Sequence, residues 1–387
     1  MKGKVAIIGA ALIERFGELY HKDFDDMISE AYINCLKTVD KGINPNEIDS
    51  GFLGSAYMKS GVAAAHPTGL YDIPWSRLEN GCSTGSDAFR VGCLAVASGI
   101  QDVALIIGAE KMNDDPGGLI AIARRENLWS SYGRTMPAFF GMRATRHMHE
   151  YGTRKEHLAM VSVKNHHNGS LYPPAMYRFE VTIDQVLNAP MVSWPLGLYD
   201  CCPITDGAAA VLVCNSDIAR KYTDDPIYVN ASCCSVGSWT NNDHYSLVGF
   251  PATKTAANAA YKMAGIGPEK IDFFECHDCF TITEILNYED LGFAEKGEGP
   301  KLLEEGIVNL DGQKPANPSG GLISKGHPIG ATGVAQIVEL FDQLRGKAGK
   351  IQIDDVNVGL QHNIGLGRGS TGSASVVSIC SREKELK

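Results

Sequence analysis

A long-range internal repeat constrains this chain more than any single motif in it. Ala31-Tyr32 precedes Gly42-Ile-Asn-Pro-Asn-Glu-Ile-Asp49 and the apolar Gly51-Phe-Leu-Gly54; far downstream, Ala260-Tyr261 precedes Gly265-Ile-Gly-Pro-Glu-Lys-Ile-Asp272 and Phe273-Phe274. Each copy predicts a helix ended by glycine, a short turn started by proline and a buried strand. Each also follows an apolar opening strand, Lys4–Ile8 in the first case and Ile227–Ala231 in the second. The chain therefore reads as two related α/β halves. A helix over Ser83–Ser98, ended by Gly99, and a strand at Val103–Gly108 continue the first half. A helix over Ala331–Leu344 and strands at Asp355–Gly359 and Ala374–Ile379 continue the second.

The 387 residues, 44% of them hydrophobic, suffice for one or two sizeable cores and show no sign of disorder. A net charge of −10 gives no basic field for nucleic acid or an anionic membrane. Residues 113–192 depart from the repeat: nine Lys/Arg against seven Asp/Glu, net +2, with five of the eleven His. They read as an inserted, mostly helical subdomain, either a solvated cap or a holder of a nucleotide-like anion. Eleven scattered cysteines, including the adjacent pairs Cys201-Cys202 and Cys233-Cys234, argue against a disulfide framework. The first apolar run is too short for a signal peptide, and no stretch approaches a membrane span, so a reducing cytoplasm is expected.

Four places offer chemistry. Cys82, in Asn80-Gly-Cys-Ser-Thr-Gly85, stands just before a helix, where unpaired N–H groups and the dipole predict a lowered thiol pKa; a small buried structural cysteine is the alternative. His327, in Lys325-Gly-His-Pro-Ile-Gly330, is pinned by Pro328 in a glycine-rich turn before another helix. Cys276-His277-Asp278-Cys279 follows the repeated strand of the second half and admits three readings: a redox C-x-x-C pair, half of a zinc site completed by Cys233-Cys234, or a loop presenting His and Cys as acid/base groups at the carboxyl end of a sheet. Leu360-Gln-His-Asn-Ile-Gly-Leu-Gly-Arg-Gly369 reads as a loop with N–H groups turned into a site, since no helix follows to make it a phosphate loop.

Taken together, these segments and Cys201-Cys-Pro-Ile-Thr-Asp-Gly-Ala208 resemble the thiolase superfamily over essentially the whole chain, and within it the sterol-carrier-protein type with its His-Asp-Cys-Phe loop. The resemblance implies an α/β thiolase fold: two duplicated βαβαβαββ halves in a five-layered αβαβα arrangement with an inserted loop domain. Its boundaries here are 1–112 and 193–224 for the N-terminal half, 113–192 for the insertion and 225–387 for the C-terminal half. Where better-known thiolases carry a late catalytic cysteine this chain has Asn363, with Gly365 two residues on, so the second catalytic thiol is expected at Cys279.

By that resemblance Cys82 is the nucleophile of a CoA-dependent thiolase and is activated by His327. His277 and His327 hold an enolate oxyanion, Cys279 moves the carbon-bound proton, and the N–H groups of Cys82 and Gly365 face the thioester oxyanion. No tightly bound cofactor and no metal is expected; CoA is a cosubstrate, with Arg124, Arg125, Arg134, Arg143 and Arg146 as candidates for its phosphates. A bulky or aromatic 3-oxoacyl-CoA, such as a benzoylsuccinyl type, is suggested by Tyr172–Tyr177 and Trp194–Leu198. Biosynthetic acetoacetyl-CoA formation, retro-aldol cleavage and a non-catalytic acyl-binding subunit are the alternatives. A homo-oligomer and a small zinc-ribbon/OB-fold partner protein are also implied. Arg368, in an unusually long late loop, is a candidate contact for an acidic substrate.

Overall fold

The computed structural model describes residues 1–58, 60–114, 135–238, 245–366 and 372–386. All eight residues of β1 (Val5–Leu12) are buried. A strand between two helical layers has no wet face, so it reads as one apolar run without alternation. α1 (Phe24–Lys37) begins at a capping box in which Asp23 and Asp26 each bond the other's backbone N–H. β2 (Ser50–Gly54), β3 (Trp75–Leu78), α2 (Thr84–Ala97) and β4 (Val103–Glu110) follow. The described part of the inserted segment is helical, dominated by α3 (Met136–Tyr151) and α4 (Lys155–Leu171), and β5 (Gly207–Asn215) completes the first half. The second half runs β6 (Ile227–Ser238), α5 (Pro251–Ala264), β7 (Phe273–Glu275), α6 (Thr281–Asp290), α7 (Ile329–Leu344), β8 (Val358–Leu366) and β9 (Gly372–Ser381).

Nine strands form one mixed sheet in the order β3-β2-β4-β5-β1-β6-β9-β8-β7. Apart from β3, the order is a palindrome of the repeat. In the first half β2 and β4 are parallel while β4/β5 and β5/β1 are antiparallel. In the second, β7 and β8 are parallel while β8/β9 and β9/β6 are antiparallel. A short antiparallel pairing of Val5–Ile7 with Ile227–Val229 joins the halves. Helix α1 covers β1 and β5 on the outside, and α5 covers β6 and β9. Between the two halves of the sheet lie α2 and α7, which pack on each other and each touch strands of both halves. Those are the five αβαβα layers.

Glycine sets how close the two central helices come. A Cβ on Gly85 would lie 2.5 Å from the Gly330 carbonyl oxygen, and one on Gly333 only 2.2 Å from the Ser86 amide nitrogen. Both clashes are with backbone, so only glycine allows the heads of α2 and α7 to meet.

Three local expectations fail. Helix α1 ends at Lys37, capped by Thr38, well before Gly42; the Thr38 hydroxyl accepts from Ala10 N–H at 2.9 Å and ties the helix end to β1. The glycine cap holds in the second copy, where Gly265 takes φ 82 after α5. The late segment read as a loop from Leu360 is strand β8, because it pairs with β9 along its whole length and with β7 over Gly359–Gln361. The strand starts at Val358, so Asp355–Asn357 lie outside it.

Candidate active site

The heads of α2 and α7 carry the first two groups. Cys82 stands one residue before Ser83, the cap of α2, and His327 one residue before Pro328, the cap of α7. The loop after β7 brings the third, His277. Donor atoms of Cys82, His277 and His327 all lie within 4.8 Å of one another. The two imidazole rings meet edge to face, 5.2 Å between centroids at 80°.

Hydrogen bonding fixes which ring nitrogens face the site. The Thr332 hydroxyl donates to the Pro328 carbonyl at 2.9 Å, so it accepts from His327 Nδ1–H at 2.7 Å. His327 Nε2 is then the bare lone pair, and it is buried with no hydrogen-bond partner among the described residues. The backbone N–H of His327 donates to Thr205 Oγ1 at 3.1 Å and anchors the turn. His277 Nδ1 lies 2.6 Å from Asn363 Oδ1, an oxygen that only accepts, which puts the proton on Nδ1 and leaves Nε2 bare. Asn363 is oriented in turn by its amide, which donates to Gln336 Oε1 on α7 at 2.7 Å.

Strand alternation explains why Asn363 serves the site and His362 does not. Gln361 and Asn363 point to the central helices, where Gln361 donates to Ser86 Oγ at 2.6 Å. His362, on the other face of β8, meets Thr253 of α5 and Ser375.

Electrostatics reverse one expectation. The Cys82 thiol pKa is pushed up to about 12, not lowered. Burial of the sulfur is the main cause, followed by the Glu110 and Glu79 carboxylates; the N–H groups of Cys82 and Leu366 oppose it incompletely. The thiol lies outside the first helical turn, where the dipole falls off, although part of the residue remains open to solvent. Burial lowers His277 to about 4 and, with His277 as neighbour, holds His327 well below the usual histidine range. The resting trio is thus a thiol and two neutral imidazoles.

Cys279 is buried, its sulfur 4.0 Å from Thr283 Oγ1, and burial is the main cause that raises its thiol well above the ordinary range. Gly365 packs so tightly on the Asn80 turn that a Cβ would lie 1.6 Å from the Asn80 carbonyl oxygen. The amide from β8 that bonds the Cys82 sulfur is that of Leu366, the next residue.

Glu110, missed in the sequence, ends β4 and accepts from Ser55 Oγ at 2.7 Å, Ala56 N–H at 2.8 Å, Tyr57 N–H at 3.1 Å and Gly330 N–H at 3.0 Å. Burial raises its carboxyl to about 7. Cys202, given no role in the sequence, donates its N–H to the Cys279 carbonyl at 3.0 Å.

Arg124, Arg125, Arg134 and Arg368 lie outside the described residues. Arg143 is buried with its guanidinium 3.8 Å from the Phe139 ring centre, and Arg146 pairs with Glu150. The one metal-capable cluster among the described residues includes none of Cys276, Cys279, Cys233 or Cys234, so the half-zinc-site reading is not realised there. A separate cavity of about 840 Å³, lined by residues including Met160, Lys164, Asn168, Leu310 and Asp354, contains none of the trio.

A thiolase N-terminal domain family matches residues 5–217, and a thiolase C-terminal domain-like family matches residues 236–382. An acetyl-CoA acetyltransferase of Methanothermobacter thermautotrophicus is 46% identical, covering 98% of this chain and 99% of its own. One from Methanocaldococcus jannaschii is 37% identical with the same coverage. Sterol carrier protein 2 of Oryctolagus cuniculus is 36% identical over 92% of this chain and 68% of its own. Among solved structures, an Ltp2-ChsH2(DUF35) aldolase shares the fold, with a TM-score of 0.85 at 24% identity over 99% of each chain. No helix of the described residues is long and apolar enough to cross a membrane.

Proposed function

The chain belongs to the thiolase family, and from that premise we propose that it is an acetyl-CoA acetyltransferase, interconverting two acetyl-CoA with acetoacetyl-CoA and CoA through an acyl-enzyme on Cys82. The observation that carries this reading is the convergence of Cys82, His277 and His327, with the bare Nε2 of His327 buried and without a hydrogen-bond partner among the described residues.

In the cleavage direction His327 Nε2 takes the Cys82 proton as the sulfur attacks the 3-keto carbonyl. The carbon–carbon bond breaks, leaving acetyl-Cys82 and the enolate of acetyl-CoA. Cys279 gives that enolate carbon its proton. The strongly raised thiol pKa of Cys279 suits a group that holds its proton until a carbanion-like acceptor forms. CoA then attacks acetyl-Cys82, its thiol proton returns to Cys279, and the departing Cys82 thiolate recovers its own from His327. The Nε2–H of protonated His327 is the donor available to an oxyanion; His277, neutral with its proton on Nδ1, becomes one only when Nε2 is protonated. The N–H groups around Cys82 face the thioester oxygen.

The acetyl group is preferred over a bulky or aromatic acyl group because both acetyl-CoA acetyltransferases match over 98% of this chain and 99% of their own. Of the suggested aromatic lining, Trp194 is 61% exposed, whereas Tyr172 is buried and the Met176 and Tyr177 N–H groups bond the Lys325 and Ser324 carbonyls beside the His327 turn. The aldolase likeness is one of fold, and the nucleophilic Cys82 favours acyl transfer over retro-aldol cleavage. A homo-oligomer and a small zinc-ribbon/OB-fold partner belong to the proposal; the aldolase neighbour, whose name joins it to a DUF35 protein, supports the partner. CoA release and cleavage rates across a panel of 3-oxoacyl-CoA substrates, with and without such a partner, provide the test. Acetoacetyl-CoA is expected to give the highest kcat/KM, and faster cleavage of an aromatic substrate would overturn the acetyl assignment.

A further inference from the structure

We propose that the Cys82–His277–His327 cluster is also a binding site for a thiophilic divalent cation, of which zinc is the type, and that the ion holds the enzyme in a reversible, inactive state. A cysteine sulfur and two imidazole nitrogens are the donor set that selects zinc over magnesium or calcium. The donor atoms already lie within 4.8 Å of one another. A tetrahedral zinc with bonds of roughly 2.0–2.3 Å needs donor separations of about 3.3–3.7 Å, so the trio must draw in by about 1 Å.

The surroundings are those of a ligand set as well as of a catalytic one. Metal-binding histidines present one nitrogen while the other donates to a protein acceptor, which fixes tautomer and ring plane. Both rings do so: His327 Nδ1–H to Thr332 Oγ1 at 2.7 Å and His277 Nδ1–H to Asn363 Oδ1 at 2.6 Å. Both Nε2 lone pairs are therefore free to bind, and His327 Nε2 is buried with no partner among the described residues. On binding, the sulfur–metal bond replaces the S–H bond, the Cys82 proton leaves to solvent, and two imidazole–metal bonds form with no change of oxidation state. Three protein ligands leave the fourth position to water. The same lone pair and sulfur cannot then serve acyl transfer.

Cobalt(II) is the probe, added to the reduced full-length chain without oxygen. One tetrahedral cobalt per chain with a thiolate-to-metal charge-transfer band is expected, absent in Cys82→Ser and weakened in His277→Asn, with circular dichroism confirming that both variants fold. Zinc should displace the cobalt and slow alkylation of Cys82 by about 100-fold when present at a hundred times its Kd, whereas magnesium should not. A six-coordinate spectrum, a band that survives Cys82→Ser, or unchanged alkylation of Cys82 in saturating zinc would overturn the proposal. None of these readouts depends on which reaction the enzyme catalyses.

Discussion

The two halves of the molecule solve the same structural problem at the same position with different residues. In the first half the last paired residues of the parallel strands are Gly54 and Gly108; in the second they are Glu275 and Gln361. Two residues further on, Ala56 faces Glu110 in the first half and His277 faces Asn363 in the second. Glu110 binds backbone N–H groups of its neighbouring loop and reaches across to Gly330 at the head of α7, so its work is architectural. Asn363 binds an imidazole and so sets a tautomer. Helix heads diverge likewise: α2 presents a thiol and α7 an imidazole. Duplication supplied two equivalent frames, and each contributes half of one site, which requires the close approach that Gly85 and Gly333 allow.

The largest expected effect falls on the sulfur of the first half. Cys82→Ala should lower kcat by about 10⁴–10⁶-fold, as loss of a nucleophile does elsewhere, with normal CoA binding measured by calorimetry. Next, Asn363→Asp places a carboxylate where an amide stood. It should raise the His277 pKa by about 1–3 pH units, followed by the imidazole proton shifts against pH; an unmoved titration would detach Asn363 from the His277 imidazole. In the other frame, Glu110→Gln removes a charge that disfavours the Cys82 thiolate. The pH midpoint of Cys82 alkylation should then fall, and the lost acceptor should cost about 1–3 kcal/mol of stability.

The smallest effect is on acid stability. His277 has a folded pKa of about 4 against an ordinary 6.5, so between those values the unfolded chain binds the extra proton. Stability present above 6.5 is therefore lost as pH falls toward 4. Denaturant midpoints measured across that window should drop less steeply for His277→Asn.

Much of this frame was legible in the chain. The repeat gave the paired helices and strands because its signals, glycine at a helix end and proline at a short turn, are local backbone chemistry. Cys82 and His327 were legible for the same reason, each sitting in a glycine-rich turn. What stayed hidden depends on long-range pairing. Gln361, His362 and Asn363 look like a polar loop, and only burial between β7 and β9 makes them a strand whose alternation separates Asn363 from His362. Glu110 ends an apolar strand with no cue that its carboxylate will meet a helix 220 residues later. The thiol pKa is not legible because a helix N-terminus is visible in sequence, whereas the carboxylates and packing that outweigh it are not.

The claim that the two halves share one reaction is tested most directly by rapid mixing with stoichiometric acetyl-CoA, followed by acid quench and peptide mass mapping, in the native enzyme and in His327→Asn. An acetyl group on Cys82 is predicted, forming about 10²–10⁴-fold more slowly in the variant. Acetylation at another residue, or an unchanged rate without the imidazole of the second half, would contradict it.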